Sequence, residues 1–169
     1  MIPNRITESL SVSLHFYEAA YQEHLNKFHL PENQKKFTVL PDKILDLSVK
    51  DINRFPVVIV CGGRAVGFFV LHLGEEISLF TDNPRAILLR AFCVNFQFQN
   101  KGLGKKAMSQ LPGFVAQNFP GVDEIVLAVN RQNGIAKKLY LDAGFQYKGR
   151  IRYGFLGLQH VLQYSYSLV

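Results

Sequence analysis

The sequence predicts a mixed α/β fold in which one β-sheet is packed against helices. Short apolar runs of strand length alternate with segments whose apolar residues recur at helical intervals, and glycines separate many of them. No apolar stretch reaches the roughly 20 residues that a membrane helix needs. With 169 residues and a formal net charge of +6, the chain is predicted to form one domain, residues 1–169, whose core needs no disulfide or metal.

The N-terminal third is predicted to be helical and to lead into a hairpin. Residues His15–Phe28 place apolar side chains at helical intervals, and Pro31 closes the segment. A second helical region, "PENQKKFTVLPDKILDL", is interrupted by Pro41. Two β-rich runs follow, Phe55–Gly63 and Ala65–Gly74, and their short Gly-Gly-Arg connection predicts a β-hairpin.

The second half alternates strands with helices. The loop "EEISLFTDNP" leads into Ala86–Val94, an apolar run that predicts a buried central strand. A helix is predicted after the glycines of "GLGKKA", then a strand over Glu124–Val129 and a short helix over Asn133–Gly144. The runs "FQYKGRIR" and "QHVLQYSYSL" predict two late strands. The predicted order is therefore helical, two antiparallel strands, a central strand, helix, strand, helix and two strands.

Composition narrows the location and the partners. "MIPNRITESL" lacks the basic-then-apolar order of a signal peptide, and Cys61 and Cys93 lie in apolar runs typical of reduced, buried thiols. We therefore expect a cytoplasmic protein with no membrane segment. The positive charge fits an anionic partner or plain solubility, but the lysines are dispersed and no aromatic–basic motif is present, so we expect no nucleic acid. The histidines show no metal-ligand spacing, and no metal site is expected.

The stretch "FQFQNKGLGKKAM" (Phe96–Met108) contains a candidate anion site where a strand leads into a helix. The first amides of a helix have no intrahelical acceptor and carry partial positive charge, and glycine lets a ligand approach the backbone. The amides of Asn100–Lys105, with lysine side chains beside them, could therefore enclose a pyrophosphate. In the alternative interpretation, Gly102 and Gly104 only form a tight strand-to-helix turn.

Two other phosphate-binding motifs fit the sequence poorly. A Walker loop requires G-x-x-x-x-G-K-[ST], which is absent. "GLGKKA" matches the G-x-G-x-x-[GA] of dinucleotide-binding folds, but that motif needs an acidic residue at the end of the next strand to hold a ribose. Here that strand ends in Val129, Asn130 and Arg131, so the ribose partner is missing.

A third interpretation accounts for more of the chain. Gln99-x-x-Gly102-x-Gly104 resembles the Q/R-x-x-G-x-G/A signature of the GNAT superfamily of N-acetyltransferases, and "NRQNGIAKKLYLDAGF" resembles that family's second block. The positions that match in the second block are Asn133, Ala136, Leu139, Tyr140, Gly144 and Phe145. The resemblance covers most of the chain, the N-terminal third in layout only. It implies a mixed, mostly antiparallel sheet of about six to seven strands, flanked by helices and splayed at its central strands.

The resemblance also implies acetyl-CoA as cosubstrate and assigns roles to individual positions. The main chain of the central strand would lie along the pantetheine arm, and the pyrophosphate would rest on the amides that open the helix. Asn133 matches the position that hydrogen-bonds the pantetheine region, and Tyr140 matches the tyrosine that protonates the departing thiolate. The implied cofactor-binding residues are Phe92, Cys93, Val94, Gln99, Asn100, Lys101, Gly102, Leu103, Gly104, Lys105, Asn133 and Tyr140.

Tyr140 also suits the chemistry of acyl transfer. Charge develops first on the thioester oxygen and then on the leaving sulfur, so the site needs a hydrogen-bond donor at each place. The backbone N–H of Val94 suits the first place and a phenol suits the second. In the alternative interpretations Tyr140 packs in the core, Asn133 only caps a helix, and Cys93 carries the acyl group, although no adjacent His–Asp pattern supports that thiol.

The general base is the point at which this sequence departs from the family. Ala128 stands where many members carry a glutamate, and Leu88 and Leu89 stand at the other family position. Glu75 or Glu76, at the end of the preceding strand, is the tentative base. A water chain to backbone carbonyls, or an amine that arrives deprotonated, are the alternatives.

The sequence thus predicts an N-acetyltransferase that moves an acetyl group from acetyl-CoA directly to a primary amine of a small molecule. The alternatives are a non-catalytic acyl-CoA-binding or regulatory domain and an acetyltransferase of a protein N-terminus or lysine. A polyamine acceptor would be attracted by Glu75, Glu76 and Asp82, which lie in one loop, whereas the net charge argues against it. We expect a monomer or a homodimer.

Overall fold

The computed structural model describes residues 10–166. Residues 1–9, which carry most of the segment used to judge the signal-peptide pattern, and residues 167–169, into which the last predicted strand extends, lie outside this range. The strands are β1 (Ser13–Phe16), β2 (Arg54–Cys61), β3 (Arg64–His72), β4 (Ala86–Val94), β5 (Glu124–Asn130), β6 (Gln146–Gly154) and β7 (Gly157–Ser165). The helices are α1 (Gln22–Asn26), α2 (Glu32–Lys35), α3 (Pro41–Lys50), α4 (Leu103–Asn118) and α5 (Gly134–Asp142).

The strands form one seven-stranded sheet in the order β1-β2-β3-β4-β5-β7-β6. All neighbouring strands are antiparallel except β4 and β5, which are parallel. This confirms the predicted mixed and mostly antiparallel sheet flanked by helices, including the β2–β3 hairpin that turns at Gly62 and Gly63 with positive φ. Within residues 10–166, none of the helices combines the length and hydropathy needed to cross a bilayer.

The sheet carries a buried apolar layer on each face. One layer is built with α4 and α5 and contains fully buried Met108 and Leu111. The other is built with α1 and α3 and contains Leu25 and Phe68. Because helices cover both faces, the central strands are apolar along most of their length rather than alternating, which is why their sequences appear as nearly continuous apolar runs.

The helix predicted over His15–Phe28 is wrong in its first half. His15 and Phe16 belong to β1 and pair with Val58 and Val57 of β2, and the α-helix is confined to Gln22–Asn26. Without β1, the outer side of β2 would be left with unpaired backbone groups, so sheet pairing outweighs local helical spacing. Phe16 also packs its ring against aromatic side chains of β2 and α4.

The two parallel strands separate along their length. β4 and β5 pair only from Ala86↔Glu124 to Leu88↔Val126, although both strands continue well beyond these pairs. The unpaired ends diverge and leave an opening in the middle of the sheet, which we call the fork. The fork confirms the predicted splay at the central strands.

A β-bulge on the other edge of β4 adds to this distortion. Two residue steps on β3, from Phe68 to Val70, face three steps on β4, from Cys93 to Arg90. Within the bulge Ala91 has a φ of +56°, which is unusual for a residue with a side chain. A bulge increases local twist, so it helps turn the end of β4 away from β5.

Candidate active site

Two cavities meet at the fork. The first, of about 410 Å³, lies between the diverging ends of β4 and β5 and below the start of α4; we call it the fork cavity. The second cavity, of about 440 Å³, lies beside it and is walled by the α2–α3 connection and the tip of the β6–β7 hairpin. Both are lined by Phe37, Thr38, Leu89, Arg90, Ala91, Ala128, Asn130 and Gln159. Ligands in the two cavities would therefore approach each other at the fork.

The start of α4 presents backbone amides to the fork cavity. Gly102 is the N-cap with a φ of +75° and no side-chain cap, and the first hydrogen bond runs from the amide of Lys106 to the carbonyl of Gly102. By helix geometry, the three amides of Leu103–Lys105 have no intrahelical acceptor. These amides, with the positive end of a 16-residue helix, can bind an anion.

Side-chain hydrogen bonds fix the loop before α4 and the neighbouring end of β4. The side-chain nitrogen of Gln99 donates to the backbone carbonyl of Val94 at 2.9 Å and to the side-chain oxygen of Gln34 at 2.8 Å. The side-chain nitrogen of Gln34 donates in return to the side-chain oxygen of Gln99 at 3.1 Å. Thr38 donates to the carbonyl of Phe92 at 3.2 Å. The α2–α3 segment is therefore fastened both to the glycine loop and to β4, although sequence analysis had identified neither Gln34 nor Thr38.

Tyr140 lies on α5 at the edge of the fork cavity. Its side chain is buried, and its ring meets Phe92 and Phe145 edge-on at 6.1 and 6.0 Å. Its hydroxyl has no hydrogen-bond partner among residues 10–166. No side-chain oxygen or nitrogen of these residues is both fully buried and without a partner, so the hydroxyl oxygen must be accessible, and it opens to the cavity that Tyr140 lines. Burial, with a smaller contribution from Cys93, raises the pKa of Tyr140, so the phenol keeps its proton at neutral pH and remains a donor.

Asn133 is the N-cap of α5. Its side-chain oxygen accepts a hydrogen bond from the amide of Ala136 at 3.3 Å, which stabilises the first turn. Its side-chain nitrogen has no partner among the described residues, and Asn133 lines the fork cavity. The capping role is therefore confirmed, and a donor remains available for a ligand.

Cys93 lies in the fork cavity but has the chemistry of a core thiol. Its side chain is almost completely buried, and burial raises its pKa to about 12. At neutral pH the sulfur is therefore protonated and a poor nucleophile. No histidine hydrogen bond to Cys93 occurs within residues 10–166, and nothing here supports an acyl-carrying role.

Most of the predicted cofactor residues line the fork cavity, but Lys101 and the two tentative bases do not. The predicted residues in its lining are Phe92, Cys93, Val94, Gln99, Asn100, Gly102, Leu103, Gly104, Lys105, Asn133 and Tyr140. Lys101 lies over the ring of Phe98 at 5.8 Å, and Glu75 and Glu76 lie in the 3₁₀ turn after β3. Among residues 10–166, neither cavity is lined by an aspartate or a glutamate.

Glu76 instead belongs to a network of charges behind the second cavity. Its carboxylate lies 3.6 Å from Arg54 and 3.4 Å from Nε2 of His72. Nδ1 of His72 lies 3.2 Å from a guanidinium nitrogen of Arg90. Since arginine can only donate, Nδ1 accepts and the ring proton is on Nε2. Burial, together with nearby Arg54 and Arg90, lowers the pKa of His72, which agrees with a neutral ring.

The same network brings three potential metal ligands together. Ligand atoms of Asp51, His72 and Glu76 lie within 4.8 Å of one another. Arg54, however, contacts Asp51 at 3.2 Å and Glu76 at 3.6 Å. The guanidinium of Arg54 thus already supplies the positive charge that a metal ion would bring to these two carboxylates. We therefore interpret the cluster as an ion-pair network.

Arg90 is the cavity residue that sequence analysis missed most clearly. It borders both cavities from the bulged part of β4. The sequence did contain one indication of it, a single charge within the otherwise apolar run "AILLRAFCV". Charged residues are rarely buried unless they are paired, so an arginine in a buried strand indicates a partner.

Comparison with known proteins agrees with this site. The model of the Acetyltransferase (GNAT) family matches residues 17–145. The protein named "Uncharacterized N-acetyltransferase YbbJ" of Bacillus subtilis (strain 168) is 42% identical over 154 residues, which cover 90% of this chain and 96% of that protein. The spermine/spermidine N(1)-acetyltransferase of the same strain is 30% identical over 124 residues, covering 73% of this chain and 80% of that protein.

A solved structure shows the same fold. The aminoglycoside acetyltransferase AAC(6')-Ib in complex with paromomycin and acetyl-CoA superimposes with a TM-score of 0.71 at 18% identity, covering 92% of this chain and 93% of that one. Fold and site thus define an acyltransferase that takes its acyl group from a CoA thioester. The chain belongs to the GNAT family: it is an N-acetyltransferase with acetyl-CoA as its cosubstrate.

Proposed function

We propose that the enzyme transfers the acetyl group of acetyl-CoA directly to the primary amine of a small molecule, with the fork cavity as the site of transfer. The observation that carries this proposal is the convergence of three groups on one cavity: the open start of α4, the unpaired backbone of β4 and the hydroxyl of Tyr140. Each of them suits a different part of an acyl-CoA.

The cofactor is assigned along the fork as follows. The pyrophosphate lies on the amides of Asn100–Lys105, where the helix dipole favours negative charge. The pantetheine arm follows the main chain of Phe92–Val94, and the side-chain nitrogen of Asn133 donates to it. The carbonyl of Phe92 already accepts the hydroxyl of Thr38 and keeps one lone pair for the arm.

The reaction forms one carbon–nitrogen bond and breaks one carbon–sulfur bond, and in net terms one proton passes from the amine to the sulfur. The amine nitrogen attacks the thioester carbon, the carbon–nitrogen bond forms, and the carbon–sulfur bond breaks. The amide of Val94 stabilises the transient oxyanion, and Tyr140 gives its proton to the thiolate. The amine proton passes to water, since neither Glu75 nor Glu76 lines a cavity. Water returns a proton to Tyr140, which restores the phenol.

A small-molecule acceptor is favoured over a protein one. Of the three proteins compared above, two have names that give an acceptor: the relative named for spermine and spermidine and the structural neighbour named for aminoglycosides, both of which are small amines. The second cavity is also a bounded pocket of about 440 Å³, a size typical of small-ligand sites. The accessible hydroxyl of Tyr140 favours catalysis over a purely acyl-CoA-binding or regulatory role.

Thiol release from acetyl-CoA, measured against a panel of amines, tests this function. We expect at least one small primary amine to accelerate release and to be recovered as its N-acetyl product. Mass spectrometry after incubation with acetyl-CoA alone should show an unmodified chain, because direct transfer needs no acyl-enzyme. Acetylation of Cys93 that is discharged by amine would replace direct transfer with a two-step scheme, and CoA binding without any turnover would leave the regulatory role.

A further inference from the structure

Two arginines, Arg90 and Arg152, line the second cavity, and no carboxylate of the described residues contacts either of them. Arg90 donates to the neutral ring of His72, and Arg152 donates to the side-chain oxygen of Gln159 at 2.5 Å while its guanidinium lies 4.3 Å from the centre of the Phe80 ring. Within residues 10–166, neither forms an ion pair with a carboxylate. Arg54, close by, is by contrast paired with two of them.

Both guanidinium groups line the second cavity. Burial, followed by the charge of Arg54 and with a smaller contribution from Arg152, lowers the pKa of Arg90, while Glu76 acts in the opposite direction. A half-buried guanidinium that no carboxylate contacts has lost part of its hydration, and a bound anion would recover that free energy. A guanidinium binds a carboxylate or a phosphate through two parallel hydrogen bonds, so it also fixes the orientation of that group.

We propose that the amine acceptor also carries an anionic group, a carboxylate or a phosphate, which Arg90 and Arg152 bind in the second cavity. This inference rests on the proposed function and names its substrate class. Arg90 borders both cavities, so an anion held there directs the amine of the same molecule toward the thioester in the fork.

The positive lining is unfavourable for polyamines. The acidic side chains expected to attract them do not reach the cavity: Glu76 is engaged by Arg54 and His72, and Asp82 is paired with Arg150 at 3.1 Å. Positive charge nearby also lowers the pKa of an amine and so favours its neutral, nucleophilic form. This effect would assist an acceptor in a cavity that offers no carboxylate base.

Matched pairs of acceptors test the proposal. The probes are phenylalanine with 2-phenylethylamine, lysine with cadaverine, and phosphoethanolamine with ethanolamine; in each pair the second member lacks only the acidic group. Spermidine serves as the polycationic probe. We expect kcat/KM to be about 10-fold or more higher for the acidic member of at least one pair, as charge-assisted hydrogen bonds require. The pair that responds distinguishes carboxylate from phosphate.

Variants then assign the preference to the cavity. Arg152→Gln should raise KM for the acidic member, remove the preference, and leave the affinity for acetyl-CoA unchanged, while Arg152→Lys should retain part of it. Arg150→Gln is the matched control, because Arg150 lies on the same strand but pairs with Asp82 outside both cavities, and it should keep the preference.

The outcomes separate the two proposals. Turnover of spermidine or of the acid-free amines at equal or higher kcat/KM overturns the anionic acceptor and leaves the acetyltransferase function standing. A preference that survives in Arg152→Gln and in Arg90→Gln overturns the assignment of these arginines. If no probe accelerates thiol release although acetyl-CoA binds, the proposed function fails, and the inference fails with it.

Discussion

Tyr140 lies at the edge of the fork cavity, and its hydroxyl has no acceptor among residues 10–166. The proposed reaction uses this available donor. Tyr140→Phe keeps the ring contacts with Phe92 and Phe145 and removes only the hydroxyl. We expect kcat to fall by about 100-fold or more, the scale for a positioned general acid, with little change in acetyl-CoA affinity or thermal midpoint. Steady-state kinetics and calorimetry of the variant measure these quantities.

Tyr164→Phe provides the control for Tyr140. Tyr164 packs on the other side of Phe145 and does not line either cavity, so the same loss of a hydroxyl should leave kcat unchanged. Equal kcat in wild type and Tyr140→Phe would show that water protonates the thiolate. A large drop in the thermal midpoint of Tyr140→Phe would assign the residue to core packing instead.

At this scale, two motifs that resemble the same family indicated Asn133 and Tyr140, and both residues line the fork cavity, one as the N-cap of α5 and the other within that helix. Their roles toward the cofactor stay predictions. Arg90 and Arg152 were not predicted, because they come from strands that are distant in sequence and meet only through the sheet order. A single arginine in an apolar run indicates a buried charge, but it does not identify the cavity or the side chains that lie next to that charge.

The start of α4 is the element on which cofactor binding depends. An ideal Cβ on Gly104 would lie 3.6 Å from side-chain atoms of Phe92 and Val94, which is ordinary contact, so the fold accepts a small side chain there. The two further methyl groups of Gly104→Val would add bulk at the start of α4, beside the amides proposed to hold the pyrophosphate. We expect the Kd for acetyl-CoA to rise by about 10-fold or more, the scale of hydrogen bonds to a charged group; calorimetric titration measures it.

Gly113→Val is the matched control in the same helix. Gly113 has open space around its Cβ position and lies away from both cavities, so acetyl-CoA affinity should be unaffected. Wild-type affinity in Gly104→Val would mean that the pyrophosphate binds elsewhere than at the start of α4.

Element boundaries were predicted best for a strand that is covered on both faces of the sheet. The strand Ala86–Val94 was predicted at its observed bounds, because an apolar run between polar loops marks a strand covered on both faces. The first helix failed because the local spacing of its apolar residues suits a helix, while the pairing that makes His15 and Phe16 a strand comes from β2, far along the chain. No local window contains that information.

The stability of the whole molecule should depend on the charge state of His72. The folded protein lowers the pKa of His72 below its ordinary 6.5, so the unfolded chain binds the proton more readily. The contribution of His72 to stability is therefore fully present above the pKa of the unfolded chain, about 6.5, and it is lost as the pH falls from there toward the lower pKa of the folded protein. We expect the thermal midpoint to drop between about pH 7.5 and about pH 5.5, and to drop less in His72→Gln.

His15→Gln controls for the removal of a histidine as such. His15 is exposed on β1 and should leave the pH dependence as it is in wild type. An identical pH dependence in wild type and His72→Gln would contradict a neutral His72 in the network that supports Arg90.

The fork also divides the chain into two structural parts. All strands on one side of it come from residues before α4, and all strands on the other side come from residues after α4. Direct pairing between these half-sheets is limited to the three residue pairs at the base of the fork. A cut in the connection between α4 and β5 would interrupt no strand, so the protein is a natural candidate for reassembly from two fragments. A cofactor lying in the fork would touch both halves and would act as the bridge that holds the fragments together.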